Sequence, residues 1–286
     1  AGGLRYANVQ LSVDDFQTLA SYGPVQVDGG APSFKDLLWN AGVIVEPIDG
    51  LRAYGSYAEG FTIADVGRIL RGITQPDVDI DDFLSLEPVV SNNRELGLEW
   101  DRGPLKASAS YFWSSSDFGS LLVLRGGVFE VERQPIEIEG FEASLDWETP
   151  VPGLSLSGGY ANLSGRTDGD GDGRIDDDLD GANISPDRVN LAADYTTGPF
   201  SARAQARFYL AREFNDIATQ TDFEGYTLLD AFISYRTDIG EFSLAAQNLT
   251  DAFYITYDSD TVRVTDNSRF FAGRGRTFTL AWRGEF

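Results

Sequence analysis

The sequence contains no histidine, no cysteine and no methionine. Without histidine the chain loses the usual general base, the usual zinc ligand and every Ser-His arrangement. Without cysteine it has no disulfides, no thiolate metal sites and no cysteine nucleophile, which suits a reducing compartment or a barrel that needs no staples. Most enzyme classes weaken on these two absences. No run approaches the roughly 18 apolar residues of a membrane helix. No basic-then-apolar leader opens the chain, and Met is missing even at position 1, so the expectation is a processed product or an internal piece of a longer gene. Bases are also scarce: 22 Lys and Arg stand against 45 Asp and Glu, a formal net charge of -23. Such a field repels phosphate backbones and argues against nucleic acid as a partner, while acidic loops attract cations.

What is present points to strands. The chain of 286 residues is 42% hydrophobic and 13% aromatic and holds 31 glycines, too apolar for disorder and rich in strand and turn residues. That length allows two average domains or one large β-barrel, and periodicity decides between them. In "FSARAQARFYL" (200–210), Phe200, Ala202, Ala204, Ala206, Phe208 and Leu210 share one face, while Ser201, Arg203, Gln205, Arg207 and Tyr209 share the other. The same division recurs in "RVNLAADY", "ELGLEW", "FEASLDW", "LSLSGGY" and "LKASASYFW". Such runs predict about twelve strands, starting near Leu4, Asn40, Leu51, Glu95, Leu105, Gly140, Leu154, Arg188, Phe200, Leu228, Phe242 and Arg276.

The connections alternate in length. "EPIDG", "DRGP", "TPVPG", "TTGP" and "TDIG" read as tight turns, and between them lie long polar segments such as Ala58 to Asn93 and Ala161 to Asp187. Apolar faces often end in an aromatic (Tyr57, Trp100, Trp113, Trp147, Tyr160, Tyr195, Tyr235), and the opposite faces carry Arg, Glu, Asp and Gln. A soluble sandwich or solenoid also alternates, but it is poorly filled by such charged faces and does not require long loops on every second connection. The prediction is all-β: one transmembrane antiparallel β-barrel domain over 1–286, in the bacterial cell outer membrane. In the last run, Phe278, Leu280, Trp282, Gly284 and the terminal Phe286 share a face, which resembles the signal read by the barrel assembly machinery.

Two loop features stand apart. "TDGDGDGRIDDDLDG" (167–181) spaces Asp168, Asp170 and Asp172 so that their carboxylates converge on one hard cation, with Gly173 at the sharp turn. A calcium site in the loop 168–180 would add the Arg174 carbonyl and Asp176. The twelfth position is Leu179 where a bidentate carboxylate belongs, so Asp178 or Asp180 would have to replace it. The alternative is a solvated acidic loop on the outer surface, where divalent cations bridge lipopolysaccharide phosphates. No other cofactor is expected. "FTIADVGRILRGI" (61–73) places Ile63, Val66, Ile69 and Leu70 on one side, compatible with a short lid-like helix in a long loop or with a strand extension.

Four stretches together resemble the C-terminal barrel region of TonB-dependent receptors, in order along essentially the whole chain. They are "LRAYGSYAEGFTIADVGRIL" (51–70), "LEPVVSNNRELGLEW" (86–100), "AAQNLTDAFY" (245–254) and "FFAGRGRTFTLAW" (270–282). The resemblance implies uptake of a ferric siderophore or similar chelate by a 22-strand barrel around an N-terminal plug that contacts TonB. This sequence has about half those strands and no recognisable plug or TonB box, so the expectation is the C-terminal portion of such a receptor. TonB would then be reached only through a missing plug; a divergent half-size barrel is the alternative.

On that reading, Arg188, Arg203, Arg207 and Arg236 face the lumen and are the candidates for an anionic chelate, since guanidinium pairs with carboxylate or catecholate oxygens. The same arginines also suit ordinary pore lining, paired with residues such as Asp194 or Glu142. Phe83 and Phe118 are candidate apolar contacts in outer loops. "GRGR" (273–276) superficially suggests a phosphate or RNA contact but is assigned to the final strand. Three other readings are a small porin-like channel, an outer-membrane barrel enzyme, for which no Ser-Lys or carboxylate constellation is visible, and a soluble calcium-stabilised β adhesion module.

Overall fold

The computed structural model describes residues 1–18, 24–63, 66–71, 73, 78–80, 88–125, 128–215, 220–261 and 271–284. In chain order the elements are β1 (Gly2–Gln10), β2 (Phe16–Gln17), β3 (Gln26–Asp28), β4 (Ser33–Ile48), β5 (Leu51–Thr62), α1 (Val66–Arg71), β6 (Val78–Asp79), β7 (Val89–Arg102), β8 (Leu105–Arg125), β9 (Val128–Glu148), β10 (Leu154–Thr167), β11 (Asp177–Asp178), β12 (Arg188–Thr197), β13 (Phe200–Tyr209), β14 (Tyr226–Thr237), β15 (Gly240–Gln247), α2 (Tyr257–Asp260) and β16 (Thr277–Arg283). Twelve of the strands form one antiparallel path, β1-β4-β5-β7-β8-β9-β10-β12-β13-β14-β15-β16, and β11 adds to β10. Consecutive long strands are always neighbours, the topology that hairpins dictate. Among the described residues no pairing joins β1 to β16, so the sheet is a continuous wall with two ends.

The five predicted turns all close hairpins, and each carries a glycine in the left-handed region: Gly50, Gly103, Gly153, Gly198 and Gly240. Gly153 (φ 81°) shows why: a Cβ there would collide with the Thr196 carbonyl oxygen.

Alternation separates the two faces as the pleat requires. One face exposes Leu4, Trp39, Val43, Leu96, Leu98, Leu145, Leu191, Ile233, Leu244 and Leu280. Such an apolar surface is far larger than a water-facing sheet leaves open, and it marks the lipid side of a membrane wall. At the short-turn end of this face Phe200, Tyr235, Phe242 and Trp282 stand directly opposite one another across four strands. Trp100 and Trp147 occupy the same end on β7 and β9, while Tyr57, Trp113 and Tyr160 sit toward the long loops.

The structure departs from the expected strand limits on the long-loop side. β8 and β9 run to Arg125 and back from Val128, passing a register shift between Ser116 and Gly119. The segment rich in Val, Leu and Phe there keeps pairing well past the apolar band, which strand propensity favours. Phe118 therefore lies within β8 rather than in a loop, and Phe83 lies outside the described residues. The long segments are likewise shortened, β5 reaching Thr62 and β10 reaching Thr167. The predicted helix is realised over Val66–Arg71 alone. Val66 and Leu70 pack on a buried cluster of Val27, Ile73 and Ile80, beside a small sheet of β2, β3 and β6 built by the first two loops. "GRGR" precedes β16 instead of belonging to it, and Phe278, Leu280 and Trp282 face the apolar side, with Phe286 outside the described residues.

Candidate functional site: the inward face and its loop canopy

The face opposite the apolar one is polar and largely paired. Arg203 meets Asp194 at 3.1 Å, its direct cross-strand neighbour, and Arg207 meets Asp230 at 2.8 Å. Arg236 meets Glu241 at 3.3 Å near the short turn, and Arg52 meets Glu99 at 3.3 Å. Among the described residues Arg188 is in no ion pair; it borders a cavity of 380 Å³ with Tyr54, Glu95, Glu99, Glu142 and Asn190. The Tyr54 hydroxyl donates to Glu95 at 2.7 Å. The four arginines chosen from alternation thus share one face but not one pocket; three hold carboxylates and one is open.

At the long-loop end this face runs into a cluster of rings. Tyr209 and Tyr226 lie 4.5 Å apart between centroids, Tyr226 and Tyr254 4.4 Å, and Phe223 and Tyr257 4.9 Å edge-on. Arg212 stands 5.2 Å over Phe214 and donates to the carbonyls of Leu163 and Ser185. Burial pushes the Tyr257 hydroxyl up to about 12, against the opposing pull of Arg212. Arg207 lies directly beneath these rings, since its strand neighbour Tyr209 is one of them.

Asp230 links this end to the closing strand. Besides Arg207 it accepts the backbone N–H of Asn248 at 2.9 Å. Asn248 is buried with φ 49°, a conformation asparagine tolerates. Its amide donates to the carbonyls of Ala252 (2.9 Å) and Arg274 (3.1 Å), while its oxygen accepts from Ala252 at 2.9 Å. Asp251 accepts the Arg276 N–H at 2.8 Å and pairs with its guanidinium at 3.7 Å. The "QNLTD" and "GRGR" stretches are two halves of one clip, which is their physical content. Gly273 leaves space that the Tyr254 ring fills.

The Asp-rich hairpin caps the same region. Carboxylate oxygens of Asp168, Asp170 and Asp172 lie within 4.8 Å of one another. The turn is shaped by N–H groups of Asp172, Gly173 and Arg174 donating to Asp170, Asp168 and Asp172. One Asp168 oxygen is buried without a hydrogen-bond partner. Leu179, at the twelfth position, is 2% exposed and packs with Ile184 on Ile136, Ile138 and Leu163. The alternatives for that position are committed elsewhere: Asp178 accepts the Asn215 N–H at 2.9 Å, and Asp180 accepts from Ala182 and Asn183. Asn215 also donates to the Asp176 carbonyl at 2.7 Å, and Gln220 to that of Asp178 at 2.9 Å. Thr221 donates to the carbonyl of Thr261, whose side chain meets Gly181 so closely that a Cβ there would collide. Three long loops are thereby locked into one canopy over the rings. Asn215, Asn248, Asp230 and the ring cluster escaped the sequence reading; alternation does mark Asp230 as inward-facing, but nothing local marks the loop partners.

A polar-lined antiparallel wall with an apolar outer face, short turns at one end and ordered loops at the other defines the wall of a membrane β-barrel. The chain belongs to the TonB-dependent receptor-like β-barrel family, whose description it matches over residues 1–249. It is 24% identical over 306 residues to the ferric aerobactin receptor of Klebsiella pneumoniae, covering 98% of this chain and 41% of that protein. It is also 24% identical over 297 residues to the ferric-pyoverdine M114 receptor of Pseudomonas sp. (strain M114), covering 99% of this chain and 34% of that one. The chain therefore spans well under half the length of these relatives. Among solved structures it is similar to the copper transporter OprC (TM-score 0.74, 19% identity, 97% of this chain and 43% of that chain). It is likewise similar to the closed form of the ferric-catecholate import receptor Fiu from K12 E. coli (TM-score 0.71, 22% identity, 98% and 41%). These relatives are receptors and transporters, not enzymes.

Proposed function

We propose that this chain supplies the C-terminal wall, loops and lumen lining of an outer-membrane receptor that takes up ferric siderophores or a related metal chelate. The reading rests first on Arg207, charged and inward-facing, set directly beneath the aromatic rings of the loop canopy. Phe214, Phe223 and Tyr257 are the buried core of the cluster, whereas the half-buried rings of Tyr209, Tyr226 and Tyr254 offer an apolar surface to a chelator's organic frame, and guanidinium groups attract its oxygens. The two curated relatives, named for ferric aerobactin and ferric pyoverdine, support the same cargo class. The mechanism is binding and passage without bond-making. The canopy gathers the chelate, Arg207, Arg203, Arg188 and Arg236 guide it along the wall, and coupling to TonB passes through a plug encoded N-terminal to this chain. In this orientation the short turns are periplasmic, the canopy meets lipopolysaccharide, and the barrel assembly machinery reads the C-terminal sequence signal of Phe278, Leu280, Trp282 and Phe286. Titrating the full-length receptor with ferric aerobactin, ferric pyoverdine and a ferric catecholate should quench tryptophan fluorescence for one class. R207A should weaken that binding about tenfold, the scale of one lost charge-assisted hydrogen bond. Binding of none of the three, together with steady conductance in planar bilayers, would favour a porin-like channel.

The same proposal includes a structural calcium ion in the hairpin, held by Asp168, Asp170, Asp172, the Arg174 carbonyl and Asp176. Support comes from the converging carboxylates and the unpartnered Asp168 oxygen. Calcium should raise the thermal midpoint of the receptor, and D170N/D172N should abolish the rise; equal midpoints with calcium and with chelator would exclude the ion.

A further inference from the structure

The apolar outer face ends, toward the long loops, in a cavity of 530 Å³ that no part of the uptake pathway uses. Its walls come from four adjacent strands. Arg94 of β7 stands opposite Trp113 of β8, and Trp113 opposite Glu139 of β9. One step further up, Glu137 stands opposite Arg166 of β10. All share the face of Leu96, Leu98, Tyr111 and Phe141, so the cavity opens toward lipid rather than the lumen.

Depth places it at the membrane surface. The strand from Glu137, opposite Arg166, to Trp147 at the short-turn interface runs about 34 Å at ~3.4 Å per residue, and at a tilt near 40° that spans about 26 Å, the height of an apolar band roughly 25 Å tall. Lipid tails end and headgroups begin at this level.

The chemistry is specific. The Arg94 guanidinium lies 5.9 Å from the ring centroids of both Tyr57 and Trp113, which fixes it in place. Among the described residues neither Arg94 nor Arg166 is in an ion pair, although Glu137 and Glu139 share the cavity. Tyr111 donates to Glu139 and its ring lies 5.9 Å from that of Trp113. Free guanidiniums take phosphate oxygens bidentately. Carboxylates accept hydroxyl protons, and flat rings receive the C–H face of a pyranose. A plain phosphate would leave the two glutamates without a donor, whereas the hydroxyls of a phosphorylated sugar supply them with protons while its phosphate meets the guanidiniums.

We infer that this cavity binds the phosphorylated sugar headgroup of an outer-leaflet lipid. The inference rests on the outer-membrane placement proposed above. The full-length receptor would be inserted into phosphatidylcholine nanodiscs doped with lipid A, dephosphorylated lipid A or phosphatidylglycerol, and retained lipid counted by native mass spectrometry. Wild type should retain lipid A about tenfold better than the other two, and R94Q/R166Q and W113L should each lose most of that preference. Heat-modifiable gel mobility identifies variants that fold. A folded R94Q/R166Q that keeps lipid A as well as wild type, or equal retention of phosphatidylglycerol, would overturn the site alone. Failure of wild type to insert would overturn the membrane placement with it.

Discussion

Asn248 illustrates how much one side chain carries in a wall whose faces are otherwise spent on lipid and water. It satisfies two carbonyls and one N–H through its amide, and its own N–H reaches Asp230, the partner of Arg207. Alanine would leave those buried groups unpaired, and a φ of 49° adds strain for a residue lacking asparagine's local hydrogen bonds. N248A is expected to destabilise the folded receptor by about 2 kcal/mol, within the 1–3 kcal/mol typical of an orphaned buried polar group, read as a lower denaturation midpoint in detergent. By contrast the outward residues Leu96 and Leu98 make no such bonds, and their value lies in matching lipid. The arginine candidates were legible in the sequence because alternation alone sets which way a strand residue points. The clip was not, because its two halves are separated by a loop and only folding brings Asn248 to the Arg274 carbonyl.

Four of the five strands that follow a tight turn begin at the expected residue, Leu51, Leu105, Leu154 and Phe200, and β15 begins two residues early, at Gly240 instead of Phe242. Among strands arriving from the long-loop side, β4 begins at Ser33 instead of Asn40 and β7 at Val89 instead of Glu95, while β12 begins at the expected Arg188 and β16 at Thr277, one residue after Arg276. Gly and Pro punctuate a turn sharply, whereas above the apolar band the outward residues become polar and alternation fades although pairing continues. The hairpin at 168–187 is the clearest case, since its acidic composition is visible but its packed Leu179 and latched Asn215 are not. It also carries a pH-dependent element. Burial raises the Asp180 carboxyl above its usual 3.8, partly offset by hydrogen bonds from Asn183 and Ala182. The folded hairpin then holds a proton more tightly than the unfolded one. Its stability is greatest below the unfolded value and falls as pH rises through the folded one. D180N, which keeps the acceptor oxygen without the charge, should unfold at higher temperature than wild type at pH 7 and at the same temperature near pH 3, as thermal melts would reveal.

Across the whole sheet the twelve strands leave two ends, β1 and β16, each with a free row of backbone groups along its outer side among the described residues. In hydrocarbon such rows are costly, so the 286-residue chain produced by itself is expected to associate edge to edge or aggregate, and to be rescued by co-refolding with the remaining barrel strands of a receptor. Size-exclusion chromatography in detergent checks this: a stable monomer of the chain alone would contradict it.

The clip at Asn248 and Asp251 has one last consequence. Because Arg274 and Arg276 are fastened to the end of β15, and Thr256 donates to the Phe271 carbonyl, the outgoing and returning ends of this connection are held together. Inserting residues between Thr261 and Phe271 is expected to cost about 0.6 kcal/mol for each doubling of that segment, because the clip already fixes where the chain departs and returns. The register of β15 against β16 is in this sense set by the clip and the strand pairing themselves, independently of how many residues join Thr261 to Phe271.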